Sequence, residues 1–157
     1  MTPLALALKR RIEATGPLRV DDYVRAALGD AEHGYYATRD PFGRSGDFIT
    51  APEISQVFGE LIGAWCGAAW AERGSPERVW LVELGPGRGT LLCDALRVIA
   101  RATPAFHRAL RPALVENSPH LRTIQRRTLE SAALAEPPVW FDDLRELPPG
   151  PVLLVAN

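Results

Sequence analysis

The stretch from Val79 to Thr90, VWLVELGPGRGT, constrains this chain more than any other. An apolar run ends on glycines at alternate positions, Gly85, Gly87 and Gly89, and a helical pattern begins at Thr90. A buried strand feeding a glycine-rich turn that opens a helix is a βα unit of an open parallel sheet. Such sheets bind ligands beyond the carboxyl ends of their strands. Glycine permits positive φ and lets a ligand lie on bare main chain. A glycine trio by itself occurs in many turns, so its neighbours decide what it binds. The spacing is G-x-G-x-G, with Thr90 where the dinucleotide fingerprint has its last glycine, and no Lys-Ser/Thr pair follows as in a phosphate-cradling loop. Both phosphate readings, and with them a nicotinamide-linked oxidoreductase, lose ground.

Acidic residues sharpen the choice. Glu83 stands two residues before the first glycine. A carboxylate there repels a pyrophosphate and attracts a cation such as an ammonium or a sulfonium. Its sign favours S-adenosylmethionine over NAD; the plainer alternative is a solvated strand end. Glu116 closes the next predicted strand, where its two oxygens can accept both ribose hydroxyls of an adenosine. Taken alone it is equally a solvated strand end, and the glycines with Glu83 tip it toward the ligand. Asp142 and Asp143 follow the third strand and can accept from an adenine amino group, although Asp143 also suits a turn cap.

Along the chain, Thr2-Pro3 predicts a helix to about Thr15, stopped by Gly16-Pro17. Asp21 is placed as the cap of a short helix over Asp22 to Leu28. Residues 30–50 lack periodicity and read as an ordered, aromatic-rich loop. From Pro52 the apolar positions Ile54, Val57, Phe58, Leu61, Ile62, Trp65, Cys66, Ala69 and Trp70 predict one helix with a buried face. Gly59, Gly63 and Gly67 form a second stripe on it, which implies close approach by another helix or the sheet rather than by a ligand. Strands are predicted over Val79–Leu84, Arg111–Glu116, Val139–Phe141 and Val152–Val155. Helices are predicted over Thr90 to about Ala102 and, capped by Ser118-Pro119, to about Leu134. The whole is an α/β chain, helical over residues 1–75 and alternating strand and helix over residues 76–157.

Composition narrows the function classes. With 18 Lys+Arg against 19 Asp+Glu, the chain lacks the basic excess on which electrostatic nucleic-acid binding depends. No apolar run approaches a membrane span, and Lys9, Arg10 and Arg11 follow the first apolar run where a signal peptide would carry its charges in front. Cys66 and Cys93 read as buried reduced thiols, and with His33, His107 and His120 they show no ligand spacing, so no metal is expected. A cytoplasmic protein is the expectation.

At Gly46-Asp47-Phe48-Ile49-Thr50-Ala51-Pro52-Glu53-Ile54-Ser55, then Phe58-Gly59-Glu60, then LVELGPGRGTL at 81–91, then Val115-Glu116-Asn117-Ser118, the sequence resembles the class I S-adenosylmethionine-dependent methyltransferases. More narrowly it resembles the MidA-type family, whose mitochondrial members are complex I assembly factors acting as protein arginine methyltransferases. The resemblance runs from about residue 8 to the end. It implies a Rossmann-like methyltransferase sheet with an N-terminal helical extension, in a bacterial, cytoplasmic member of the family. It further implies that Gly85, Pro86, Gly87 and Gly89 face the methionine portion of the cofactor and Glu116 the ribose. The segment Gly46–Ser55 is expected to fold over the pocket, with Asp47, Thr50 and Glu53 its polar candidates. Read from the residues alone, Thr50 and Glu53 serve equally as helix cap and first-turn acid.

The function implied is methyl transfer to an arginine nitrogen of a protein substrate, a respiratory complex I subunit, with Glu53 the candidate catalytic carboxylate. The alternative is a non-catalytic assembly module that keeps the cofactor pocket and docks partners through Tyr35, Tyr36 and Phe42. In the family the fourth strand continues past the position of Asn157 into an acidic, aromatic segment. The chain is therefore expected to be the N-terminal part of a longer protein, with the acceptor pocket in the remainder.

Overall fold

A computed structural model describes residues 1–30, 32–38, 49–132 and 134–157. The four predicted strands form, and they pair in parallel: β1 (Val79–Leu84), β2 (Leu110–Val115), β3 (Val139–Phe141) and β4 (Val152–Ala156), in the order β3-β2-β1-β4. The chain grows outward from β1 to β3 and then returns to lay β4 on the other side of β1. That reversal is the topological switch at which open α/β sheets bind ligands.

The register decides which side chains meet. Leu81 lies opposite Pro112 and Leu153, and Glu83 opposite Leu114 and Val155. Parallel alignment puts Val79, Leu81, Leu110, Leu114 and Leu153 on one face of the sheet. There they join Leu92, Leu96 and Ile99 of α6 (Thr90–Ala102) in the core. Phe106 of α7 (Pro104–Ala109) is fully enclosed and stacks on Trp70, ring centroids 5.3 Å apart. On the opposite face Trp80 and Phe141 meet edge to face.

The N-terminal half is helical: α1 (Pro3–Thr15), α2 (Val20–Gly29), α3 (Tyr35–Thr38), α4 (Ala51–Ile54) and α5 (Gln56–Glu72). Thr2 caps α1 as expected, its hydroxyl accepting from the Ala5 amide. α2 begins two residues before the prediction, with Arg19 at the cap and Asp21 inside the first turn.

The helix expected from Pro52 is two helices. Ser55 is extended (φ −153°, ψ 130°), and its hydroxyl caps the second by accepting from the Val57 amide. The buried face also differs from the one predicted. Cys66 and Ala69 are buried, but Ile54, Val57, Leu61 and Trp65 are exposed. α5 presents its glycines to α6 instead. A Cβ on Gly59 would stand 2.7 Å from the Asp94 Cβ, and one on Gly63 would stand 2.6 Å from the Ala95 carbonyl oxygen. Two helices this close leave no room for side chains between them, so the contact is made by main chain. Arg97 of α6 adds a polar clasp at the edge, 2.7 Å from Asp94 and 3.2 Å from Glu60 of α5.

Sequence periodicity missed α7, whose six residues are too few to show a repeat. The last helix, α8 (Pro119–Leu129), stops five residues before the predicted end. Cys66 and Cys93 are free and buried, and burial pushes the Cys66 thiol up to about 11, so it stays protonated. Among the described residues no helix is long and apolar enough to cross a membrane, and no cluster could hold a metal ion.

Candidate functional site

The three glycines after β1 all adopt positive φ: 60° at Gly85, 53° at Gly87 and 81° at Gly89. L side chains rarely adopt such angles, which explains why this turn is built of glycine. The Gly89 amide closes the turn on the Pro86 carbonyl at 2.7 Å, and Gly89 then caps α6. The Gly85 amide donates to Val115 at the end of β2, so the turn is tied to the neighbouring strand. A Cβ on Gly85 would meet nothing within 4 Å. The space over it is open.

That space is a crevice of about 680 Å³. Every strand contributes to its wall from its carboxyl end: Gly85 and Gly87 after β1, Glu116 and Asn117 after β2, Asp142 after β3 and Asn157 after β4. Tyr36, Ile49 and Thr50 close it from the N-terminal half. The tyrosines expected as an exposed docking loop are half-buried, and the Tyr36 carbonyl accepts from the Ser118 hydroxyl at 3.1 Å.

Glu116 is buried, and both of its carboxylate oxygens are held. One accepts from the Ser118 amide at 2.8 Å and the other from Gln125 Nε2 at 3.2 Å. Arg122 donates to the Glu116 carbonyl and, through a second nitrogen, to Asp142 at 2.6 Å. Asp143 turns away to cap a short 3₁₀ turn, its carboxylate accepting from the Arg145 amide. The neighbouring Arg145 guanidinium holds the Asp143 carboxyl down at about 2.

On the other side of the glycine turn, a hydrogen bond ties α4 to α6: the Thr90 hydroxyl donates to Glu53 at 2.7 Å. Thr50 sits at the cap position of α4, but its side chain makes no capping bond and lines the crevice instead. Glu53, Glu83, Pro86, Arg88 and Thr90 surround a small recess of about 40 Å³ beside the turn. Glu83 is 4% exposed there, and its Oε2 has no hydrogen-bond partner among the described residues. Burial pushes its carboxyl up to about 8, against a smaller downward pull from the Leu92 amide at the start of α6. At neutral pH it therefore holds its proton.

Of the residues picked out from sequence, the crevice gathers Thr50, Gly85, Gly87, Glu116 and Asp142, and the recess gathers Glu53, Glu83 and Pro86. Gly89 lies at the base of the turn against Gln125. Asp47 and Phe42 lie outside the described residues. Sequence reasoning missed Gln125, which is fully buried. Its signal was present: Leu121, Gln125 and Leu129 share one face of α8 at i, i+4 and i+8, a polar residue inside an apolar stripe.

A parallel sheet with its glycine turn after the central strand and a held carboxylate after the next defines a Rossmann-like α/β domain. A family model described as "Putative S-adenosyl-L-methionine-dependent methyltransferase" matches residues 61–157, more than half of the sequence, and the chain belongs to that family. It is 39% identical over 176 residues to the human mitochondrial protein arginine methyltransferase NDUFAF7, covering 100% of this chain and 40% of that protein. The Drosophila melanogaster homologue is 48% identical over 122 residues, 78% of this chain and 28% of that protein. A crystal structure of a COG1565 superfamily member from Burkholderia thailandensis, bound to S-adenosyl-homocysteine, superposes with a TM-score of 0.76 at 30% identity. The match covers 96% of this chain and 40% of that one. Over its full length the chain thus spans about two fifths of the human relative.

Proposed function

We propose that the crevice binds S-adenosylmethionine and that the chain forms the cofactor half of a protein arginine methyltransferase. One observation carries this reading: the positive-φ glycine turn and the Glu116 carboxylate stand at adjacent strand ends and open into the same crevice. Its volume lies in the range of small-molecule sites, roughly 300–1,000 Å³. The orphaned Glu83 oxygen and the open space over Gly85 also suit a ligand with a cationic centre lying on main chain. In this assignment Gly85, Pro86, Gly87 and Gly89 form the seat of the methionine portion. Glu116 accepts from the ribose hydroxyls, Asp142 lies toward the adenine, and Glu83, Thr50 and Asp47 complete the contacts. Residues 76–157 form the first half of the methyltransferase domain, and residues 1–75 its helical extension and cover.

The cofactor would supply an electrophilic methyl group on a sulfonium. The chain's own task is then to position a guanidinium, which is always protonated near neutrality. Near-attack placement supplies much of the rate of such displacements. Glu53 is the carboxylate assigned to orient it and to take the proton lost from nitrogen. The Thr90 bond fixes one of its oxygens, and so fixes its direction beside the glycine turn.

The substrate inferred is an arginine-bearing protein, on the strength of relatives named protein arginine methyltransferases; that it is a subunit of respiratory complex I is what the resemblance to the MidA-type family implies. The inferred setting is a reducing, bacterial cytoplasm. The free buried cysteines support the first part and the Burkholderia relative the second, whereas the sequence relatives are named mitochondrial.

Calorimetry with S-adenosyl-homocysteine tests the site. Gly87→Val is expected to abolish binding, because a β-branched residue is strained at φ 53° and the turn must deform. Glu116→Ala is expected to weaken binding by about 1–3 kcal/mol, the worth of hydrogen bonds to a charged group. Unchanged affinity in both would place the ligand elsewhere. Mass spectrometry of the complex I subunit after incubation with the full-length protein tests the reaction, and absence of methylarginine would refute it.

A further inference from the structure

We propose that Gln125 is the positioning residue of the cofactor site: it locks the glycine turn and the Glu116 carboxylate into one frame. The proposal rests on the cofactor reading of the crevice. Gln125 is fully enclosed, and all of its hydrogen-bonding groups are used. Nε2 donates to the Gly87 carbonyl at 2.8 Å and to Glu116 at 3.2 Å, while Oε1 accepts from the Trp140 indole at 2.8 Å.

The chemistry leaves the amide a single orientation. An indole N–H can only donate, and a carbonyl and a carboxylate can only accept. Trp140 therefore holds the oxygen end, and the NH₂ must face Gly87 and Glu116. One side chain thus joins the ends of β1 and β2 through the ligand-facing turn. Trp140 is itself held by β3 and by Arg126, whose guanidinium lies 4.6 Å from its ring centroid. Gln125 also packs against Gly89, where a Cβ would come within 3.5 Å of its Cγ. The Ser118 amide holds one oxygen of Glu116 and Gln125 the other, and each oxygen keeps a further lone pair with which to accept from a ribose hydroxyl.

The test is calorimetric titration of the full-length protein with S-adenosyl-homocysteine at pH 8 and pH 5.5. Gln125→Glu places a second carboxylate against Glu116, where two like charges cannot both ionise cheaply. The other charged groups close by are Arg122, Asp142 and Arg126, which are present in both proteins. Relative to wild type, the variant is expected to bind at least about tenfold more weakly at pH 8 and to recover most of that loss at pH 5.5, where a shared proton bridges the pair.

Gln125→Met keeps the shape and removes the donors. It is expected to reduce the wild-type preference for S-adenosyl-homocysteine over its 2′-deoxy analogue, which a purely structural role would leave unchanged. Should the glutamate variant not fold, this ratio decides alone. Binding by wild type with an equal loss at both pH values, or with an unaltered ratio in Gln125→Met, overturns the role of Gln125. Failure of wild type to bind overturns the cofactor reading beneath it.

Discussion

Replacing Gly63 with alanine is expected to lower the unfolding free energy by about 1–3 kcal/mol, the typical cost of forcing extra carbon into a filled core. Helix propensity alone predicts the opposite, a gain of about 1 kcal/mol for alanine over glycine. Geometry decides the sign. The new Cβ would stand 2.6 Å from the Ala95 carbonyl oxygen and 2.8 Å from its Cα, and main chain cannot rotate aside. α5 would have to move off α6, loosening the core around Cys66, Leu92 and Leu96.

Gly67 provides the internal control. Its Cβ would meet the Thr103 side chain at 3.3 Å, and a side chain can give by a few tenths of an ångström. Gly67→Ala should therefore be close to neutral, the propensity gain offsetting the crowding. Urea denaturation of both variants, compared at equal m-value, separates the two cases. A neutral or stabilising Gly63→Ala would mean that the two helices do not touch through their main chains.

The same contact marks where the sequence could be read and where it could not. All four strands and the turn at Gly85–Gly89 were legible because they rest on local signals: an apolar run, a glycine spacing, a proline stop. Periodicity over Ile54–Trp70 showed a helix but not which side faces inward, since both stripes are small or apolar. The glycine stripe signalled a close approach, but not that α6 makes it, nor that it buries Gly63 in place of Leu61. The break at Ser55 was written in a serine that can cap, yet an unbroken helix fits the same apolar positions.

The site divides the same way. Gly85, Gly87 and Glu116 carry their own backbone or charge signature at strand ends, so their convergence followed from the topology. Gln125 is marked only by its place inside the apolar face of α8, which names no partner. Its importance comes from three partners 9, 15 and 38 residues away in sequence, Glu116, Trp140 and Gly87, that only the folded chain assembles.

Glu83→Gln is expected to stabilise the ligand-free protein at about pH 8 and to leave it unchanged near pH 4.5. The Glu83 carboxyl has an ordinary value of 4.5 and is pushed up to about 8 by burial. Between those limits the unfolded chain releases the proton and the folded chain keeps it. The folded state then binds more protons, so stability falls as pH rises, fully present below about 4.5 and lost by about 8. Glutamine has no proton to release and escapes the penalty, which by linkage is on the order of a few kcal/mol. Glu53 and Arg88, which border the same recess, are common to both proteins and cancel in the difference.

Thermal unfolding across pH reads this directly, and equal melting temperatures at pH 8 would show that Glu83 is not held in a dry site. The same experiment with saturating S-adenosylmethionine adds the functional half. A cationic centre placed beside Glu83 favours its ionised form, so ligand should raise the wild type more than the glutamine variant and narrow the gap at pH 8. A gap that ligand leaves untouched would separate Glu83 from the cofactor and return it to the role of a buried acid near the end of β1.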